Sequence, residues 1–451
     1  MNRNVEREAI FKLGAISPRS RDFCSRWGSF YTQTWLSVSA RSLRSYERAR
    51  NRFLSSTSSF KVMILNACTL YIPKVKLRAY QPPKWFTSEI RHRLNCIHSL
   101  RRRAKKHSTT YLSAKLISEE RELENLMIRS KIEYEAKLLN DKPYCSKRVY
   151  RYLHSVSKHS CIPQSVFLGD ITAHTPTEKA HLFNQYFHSI YQSYNHDTLA
   201  NFDFHCTLSS SSLLQEFLCD EHEVFNILTS LHTSKATGVD SIGSKILKSC
   251  SISLYTPITL LFKKSLWSSH IPSEWKIHII TPIPKAGDPT NISNYRPIAL
   301  LCSVSKVLET IVYDQIYKYA LPFLSPNQFG FIRNRSCLQQ LLSTLSLIYD
   351  NSRSHLSTDI IYLDFRKAFD SVPHDLLLIK LWKLGLTGSA WKWIRDYLTG
   401  RMHQTRIEGC TSSLLSVSSG VPQGSVLGPL PFVLYINDLA SHMFIFSSFR
   451  Y

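Results

Sequence analysis

The stretch Ile360-Ile361-Tyr362-Leu363 is a run of apolar β-formers that stops at a carboxylate, Asp364. A short continuous run of this kind predicts a strand buried on both faces. A carboxylate at the end of such a strand is costly to bury without a partner. Asp364 therefore belongs either at a solvated sheet edge or beside a cation. The next residues, Phe365-Arg366-Lys367-Ala368-Phe369-Asp370, lead into an amphipathic segment, "HDLLLIKLWKLG". Pro373 suits the first helical turn and Gly385 the stop. Asp370 and Asp375 read there as helix-start residues rather than ligands.

Two further constellations carry chemical signals. "SSGVPQGSVLGPLPFVLYINDL" places Gly420, Pro422, Gly424 and Gly428 in a tight loop that opens a helix, with Gln423 at its apex. Such a loop brings backbone N–H groups close to a phosphate or sugar, and it is equally an ordinary turn before a helix. "SNYRPIALL" and "QFGFIRNRSC" set Arg296, Arg333 and Arg335 among aromatic and glycine positions. Arginine reads phosphate with forked hydrogen bonds. The structural alternative is pairing with acids, which are scarce nearby in sequence.

The balance of 56 Lys and Arg against 33 Asp and Glu, a net charge of +23, attracts polyanions, nucleic acid first and anionic membrane next. The charge concentrates in Arg91–His107, where Arg91, Arg93, Arg101, Arg102, Arg103, Lys105 and Lys106 occur without one acid. A clamp on a phosphate backbone and a solvated helix face both fit this run. Leu116, Leu123, Met127, Ser130, Tyr134 and Leu138 then recur at helical steps. Two helices, over about 87–106 and 110–140, are expected to pack as a hairpin. The 11 scattered cysteines contain no metal-binding C-x-x-C pair and suit reduced thiols. A charged N-terminus and the lack of a long apolar run predict a soluble intracellular protein, nuclear or cytoplasmic.

Length implies roughly two to four units. Residues 1–80 are weakly patterned. Residues 81–215 read as a helical basic region, including "SKRVYRYLHSV" and a helix capped by Thr177. A Ser-rich linker puts a boundary near 215. From 216 to 451 helix–loop–helix, strand, Pro/Gly loop, apolar segment, long helix from Ser303, strand 359–364, helices, hairpin and helix follow, an α+β arrangement.

In this order, "IPKAGDPTNISNYRPIALL", "QFGFIRNRSC", "YLDFRKAFDSVPHDLLLIKLWKLG" and "SGVPQGSVLGPLPFVLYINDL" resemble the successive motifs of non-LTR retrotransposon reverse transcriptases, of the jockey-like, LINE type. The match runs over about 220–442, with core motifs in 265–442. Residues 80–200 are similar to the segment joining endonuclease and polymerase, and 20–80 to the tail of the endonuclease region. The resemblance implies a partial right-hand polymerase, fingers and part of the palm, preceded by the helical basic region. It implies RNA-directed DNA synthesis from an RNA template, a DNA primer and dNTPs. Asp364 matches the first metal-binding aspartate, with the Phe365 carbonyl beside it. Phe369 matches the bulky residue under the incoming sugar. Gln423 and Gly424 match the loop beside the nucleotide. Arg335 and Arg296 match fingers positions near the triphosphate, although Ile332 replaces one arginine of the family motif.

Family chemistry uses two Mg²⁺ roughly 3.5–4 Å apart, held by oxygen ligands. The family supplies its other carboxylates from an aromatic-Ala-Asp-Asp hairpin that does not occur in these 451 residues, and a thumb is not recognisable either. Asp438 is the remaining late carboxylate, inside "YINDL". The expectation is a reverse transcriptase domain with little or no polymerase activity in this chain by itself. The other reading is a non-catalytic basic binder of RNA or DNA. A group II intron-type maturase shares the core, but "YRPIALL" and "FRKAFDSVPHDLL" favour the LINE type.

Overall fold

The computed structural model describes residues 43–72, 82–106, 109–140, 148–150, 152–153, 162–191 and 213–439. They fall into two compact units, one holding 82–153 and the other the remainder. The first helix, α1 (Leu43–Tyr71), lies in the larger unit and buries Phe60, Ile64 and Cys68 in its core. Lys61 pairs with Glu274. Sequence reading found no pattern there.

The smaller unit is the expected hairpin. Its helices are α2 (Ser88–Lys106) and α3 (Thr110–Asn140). Ile90 and Ile97 are buried in α2, and the predicted stripe from Leu116 to Leu138 is half-buried on α3. Ser130 Oγ donates to the Trp85 carbonyl at 2.6 Å and closes one end. The expected helix over "SKRVYRYLHSV" lies mostly outside the described residues.

The larger unit continues with the strands β1 (Val166–Leu168) and β2 (Ile171–Ala173), an antiparallel pair, and α4 (Pro176–His188). Thr175, not Thr177, caps α4. Its side chain accepts from Glu178 N, while Glu178 answers to the Thr175 N–H in a capping box. Pro176 stands at the first helical position, where a missing N–H costs nothing, so the cap must precede it. Most of the Ser-rich linker lies outside the described residues. Three helices follow: α5 (Glu221–Ser230), α6 (Ser244–Ser249) and α7 (Ser251–Ser268). Next come β3 (Ile277–Pro284), β4 (Tyr295–Leu300), α8 (Ser303–Ala320) and α9 (Cys337–Arg353). The chain ends in α10 (His374–Lys383), α11 (Gly388–Leu398), β5 (Arg401–Ile407), β6 (Cys410–Thr411), β7 (Leu415–Val417) and α12 (Pro429–Ile436).

The sheet is mixed: β4 pairs antiparallel with β3, β3 parallel with β5, and β6 and β7 both antiparallel with β5. Glu408 and Gly409 at positive φ make the tight turn of the predicted hairpin. One core gathers α1, α5, α7, α8 and α10–α12 around Phe262, Leu377, Trp393 and Tyr397. A second lies between α4 and the sheet and holds Phe183, Phe187, Ile280 and Tyr295. β5 turns its polar residues inward: Arg401, His403 and Thr405 are all buried. Thr405 Oγ donates to Asn184 Oδ1 of α4 at 3.1 Å, and Arg401 donates to His278 and to the Tyr397 and Trp275 carbonyls. Burial drives the ring nitrogens of His278 and His403 toward the neutral form, His403 down to about 4. No described helix is long and apolar enough to cross a membrane.

The strand expected at 359–364 does not form. Residues 356–365 have no ladder partner among the described residues, and Tyr362 is 88% exposed. Leu338, Leu341, Leu342 and Leu345 on the neighbouring helix in sequence, α9, are also exposed. β-propensity expresses itself only against a pleated, half-buried surface. None of the strands β1–β7 pairs with this segment, so the apolar run has no ladder among the described residues.

The consequence is measurable by urea unfolding. Ile361→Asn and Tyr362→Asn are expected to change stability by no more than about 0.5 kcal/mol, as at an exposed site. Leu377→Ala, in the core, is expected to cost about 2–5 kcal/mol. A large loss at Ile361 would show that the run is buried after all.

Candidate functional site

Three segments distant in sequence converge at the edge strand β4. Val421 N donates to the Phe369 carbonyl at 2.8 Å, and Gly420 N to the Val372 carbonyl at 2.8 Å. Ala299 N of β4 donates to the Gln423 carbonyl at 2.8 Å. Ser419 Oγ reaches the Asp370 carbonyl at 2.7 Å, and His374 Nε2 donates to the Gly420 carbonyl at 2.7 Å. The approach is so close that glycine is required. A Cβ on Gly420 would lie 2.6 Å from the Phe369 oxygen, and one on Gly424 2.6 Å from the Ala299 oxygen; both residues have positive φ.

Glu309 on α8 secures the far side of the loop. It is 1% exposed, and its carboxylate accepts from Val426 N at 2.9 Å, Leu427 N at 3.3 Å and Ser305 Oγ at 3.1 Å. These are free N–H groups ahead of α12, which a carboxylate satisfies while opposing the helix dipole.

Asp370 is not a helix-start residue. It sits in the turn before α10, is 6% exposed, and Oδ2 accepts from Gln423 Nε2 at 2.9 Å. Burial pushes its carboxyl up to about 6, while Lys367, the Gln423 hydrogen bond and Lys285 pull it back. Asp375 does lie in the first turn of α10. Phe369 stacks on Phe432 with centroids 4.6 Å apart and meets Phe331 edge-on at 5.4 Å. Lys367 lies over the Tyr186 ring at 5.0 Å. Phe369, Gln423 and Gly424 are thus brought together around one loop.

Asp364 and Phe365 are exposed, on the segment that has no ladder partner among the described residues. Arg296 is exposed on β4, opposite Ile283. Arg333 pairs with Asp314 and lies over the Tyr313 and Tyr317 rings, so an acid distant in sequence supplies the structural partner. Arg335 donates to the Gln328 carbonyl at 2.8 Å and to that of Pro326, and covers the Phe329 ring. Arg333 thus ties the loop to α8, and Arg335 braces the loop from within. In the separate hairpin, Arg93 pairs with Glu122 at 2.6 Å and Arg101 forks onto Glu120 at 2.9 and 2.7 Å. Arg91, Arg102, Arg103, Lys105 and Lys106 are exposed, with no ion pair among the described residues.

A pair of Mg²⁺ ions needs several converging carboxylates. Among the described residues no three His, Cys, Asp or Glu side chains are placed to hold a metal. Asp364 belongs to no such group among the described residues, Asp370 is engaged by Gln423, and Asp438 pairs with Lys380 at 2.7 Å. These donors do not fit a two-metal centre. Glu309, Asp370 and Lys285 were not found from sequence. Glu309 carried a usable signal, a lone acid between Leu308 and Val312 on an apolar helix face. Asp370 carried none, since its partner is 53 residues away.

A family model described as "Reverse transcriptase (RNA-dependent DNA polymerase)" matches residues 283–444. The chain is similar to a "Probable RNA-directed DNA polymerase from transposon X-element" of Drosophila melanogaster, 34% identical over 220 residues, 48% of this chain and 24% of that protein. The "RNA-directed DNA polymerase from mobile element jockey" of the same organism is 28% identical over 223 residues, 49% of this chain and 24% of its own length. A "Retrovirus-related Pol polyprotein from type-1 retrotransposable element R2" of Popillia japonica is 29% identical over 175 residues, 39% of this chain and 24% of that protein. The chain spans about a quarter of the length of these relatives.

Removing the Glu309 carboxylate leaves two buried N–H groups without an acceptor. Glu309→Ala is expected to cost about 2–4 kcal/mol in urea unfolding. Amide exchange at Val426 and Leu427 should accelerate, and unchanged exchange there would show that Glu309 does not hold the loop.

Proposed function

Since the chain carries a reverse transcriptase domain of the non-LTR retrotransposon kind, we propose that it contributes the template- and nucleotide-facing half of RNA-directed DNA synthesis and does not complete the chemistry by itself. The observation that carries this reading is the clamp of Phe369, Asp370, Gln423 and Gly424 against β4, formed while Asp364 remains a lone exposed carboxylate. In this reading 216–451 make up the fingers and part of the palm. Phe369, held between Phe331 and Phe432, lies under the sugar of the incoming dNTP, and Gln423 lies beside it. Arg296 and Lys285, at the two β3–β4 strand ends, face the triphosphate. Arg335 acts by bracing the fingers loop. Mg²⁺, the cofactor of the family, would need ligands beyond Asp364 and the Phe365 carbonyl. Residues 81–215 are the basic helical region that precedes this domain.

A second reading has its own support. Five basic side chains of α2, Arg91, Arg102, Arg103, Lys105 and Lys106, are exposed without acidic partners among the described residues, as a phosphate-binding ridge requires. The hairpin then holds RNA or DNA whether or not synthesis occurs, with Arg93 and Arg101 fixing its shape.

Two measurements test these readings. Purified chain given an RNA template, DNA primer, dNTPs and Mg²⁺ is expected to incorporate no nucleotide above background. Incorporation that Asp364→Asn abolishes would overturn the proposed incompleteness. RNA binding is expected to weaken with salt, and the triple variant Arg102→Gln, Arg103→Gln, Lys105→Gln should lower the log–log salt slope by about 2–3. An unchanged slope would remove the ridge from the interface.

A further inference from the structure

The contact between Asp370 and Gln423 has a polarity. An ionised carboxylate only accepts hydrogen bonds, so the amide must turn its NH₂ toward Asp370. Nε2 is then committed at 2.9 Å, and Oε1 is the end left to meet a ligand. The Gln423 backbone cannot follow a change at the side chain. Its carbonyl is tied to Ala299 N, and Gly424 beside it is pressed on the Ala299 oxygen. The terminal amide torsion remains free to turn, with two roughly equivalent wells.

We propose that Asp370 is a positioning residue whose protonation state decides which end of the Gln423 amide is presented to the nucleotide: the carbonyl oxygen when Asp370 is ionised, the NH₂ when it is protonated. With Asp370 ionised, Gln423 offers an acceptor suited to a hydroxyl or amino group of a bound nucleotide. On protonation Oδ2–H becomes a donor, the amide turns over to accept it through Oε1, and Nε2 faces the ligand. This rests on Gln423 being the nucleotide-side residue, as proposed above.

The surroundings favour a group that titrates in an accessible range. Burial raises the Asp370 carboxyl to about 6. Lys367 on its own turn and Lys285 beyond β3 oppose that rise. Burial keeps the phenols of Tyr186 on α4 and Tyr191 just after it protonated, and the Asp370 charge adds to this. Arg366 acts on Tyr186 and Lys367. Arg401 of β5 and the neutral ring of His278 of β3 line the same small cavity as Asp370 and Gln423, and His374 of α10 is engaged by the Gly420 carbonyl. Above about 6 the carboxylate form dominates and the Nε2 bond stands; below it the proton reverses the bond.

The full chain labelled with ¹⁵N in glutamine side chains reads the switch directly, the Gln423 signal being the one lost in Gln423→Met. Its NH₂ pair is expected to titrate once between pH 5 and 8, near 6, and to stop titrating in Asp370→Asn. No titration in the unaltered chain, or titration that persists in Asp370→Asn, overturns the proposal. Should Asp370→Asn fail to fold, Lys285→Met serves instead, because loss of that cation should move the midpoint upward; an unmoved midpoint counts against Asp370. Binding of a dNTP, followed by fluorescence quenching, is expected to change at least threefold more between pH 7.5 and 5.5 in the unaltered chain than in Asp370→Asn, and equal changes would overturn the proposal. If no dNTP binds at either pH while the amide titrates as expected, the nucleotide reading of Gln423 falls and the Asp370–Gln423 device stands.

Discussion

The backbone contact between the turn at 369–372 and the loop at 419–423 holds the rest of the site in place. Two N–H···O bonds run directly between them, and a third ties the loop to β4. All three are main-chain bonds at 2.8 Å, so they fix the loop whatever the neighbouring side chains do. Side chains of Gly420 and Gly424 would push these segments apart by more than a hydrogen bond tolerates. Phe369, Asp370 and Gln423 are brought side by side by this contact, and the Gln423–Asp370 hydrogen bond forms within it.

Carboxylates are placed with economy around it. Glu309 is buried and fully used in satisfying N–H groups ahead of α12. Asp370 is buried and answered by one amide, which leaves it only partly compensated and raises its affinity for a proton. Asp364 is instead in water, on a segment with no ladder partner among the described residues. The loop at 419–423 is thus fully tied down while Asp364 stands exposed. The two depend on different elements: the loop is held by β4, α8 and α12, whereas Asp364 lies on a segment with no ladder partner among the described residues.

The basic residues divide in a similar way. Arg93, Arg101, Arg333 and Arg335 act as struts, bonded to acids or carbonyls within their own units. Arg401 is buried beside a neutral histidine and two carbonyls, with the Tyr397 ring at 4.7 Å. The large positive charge is therefore not uniformly available to a polyanion. What remains in solvent on α2 is a narrower ridge than the composition suggests.

How much of this was legible beforehand differed from element to element. The α2–α3 hairpin, the strand β3, the long helix from Ser303 and the turn-linked β5–β6 pair were readable because periodicity, glycines and caps are local signals, whereas Tyr295–Leu300 read only as an apolar segment and not as β4. The order of motifs was enough to mark the polymerase family. The inward polar face of β5, the cap at Thr175 and the buried acids Glu309 and Asp370 were not readable, since each depends on a partner from elsewhere. Asn184 reaches Thr405 across 221 residues, and Gln423 reaches Asp370 across 53. The strand at 359–364 failed in the opposite direction. Ile360 to Leu363 have the right local character, but a strand exists only when another lies beside it. Composition and motif order by themselves determined the family and the local elements; tertiary contact alone decided which charges are buried, which are struts and which face water, because the energy of a charge depends on what surrounds it rather than on its neighbours in the chain.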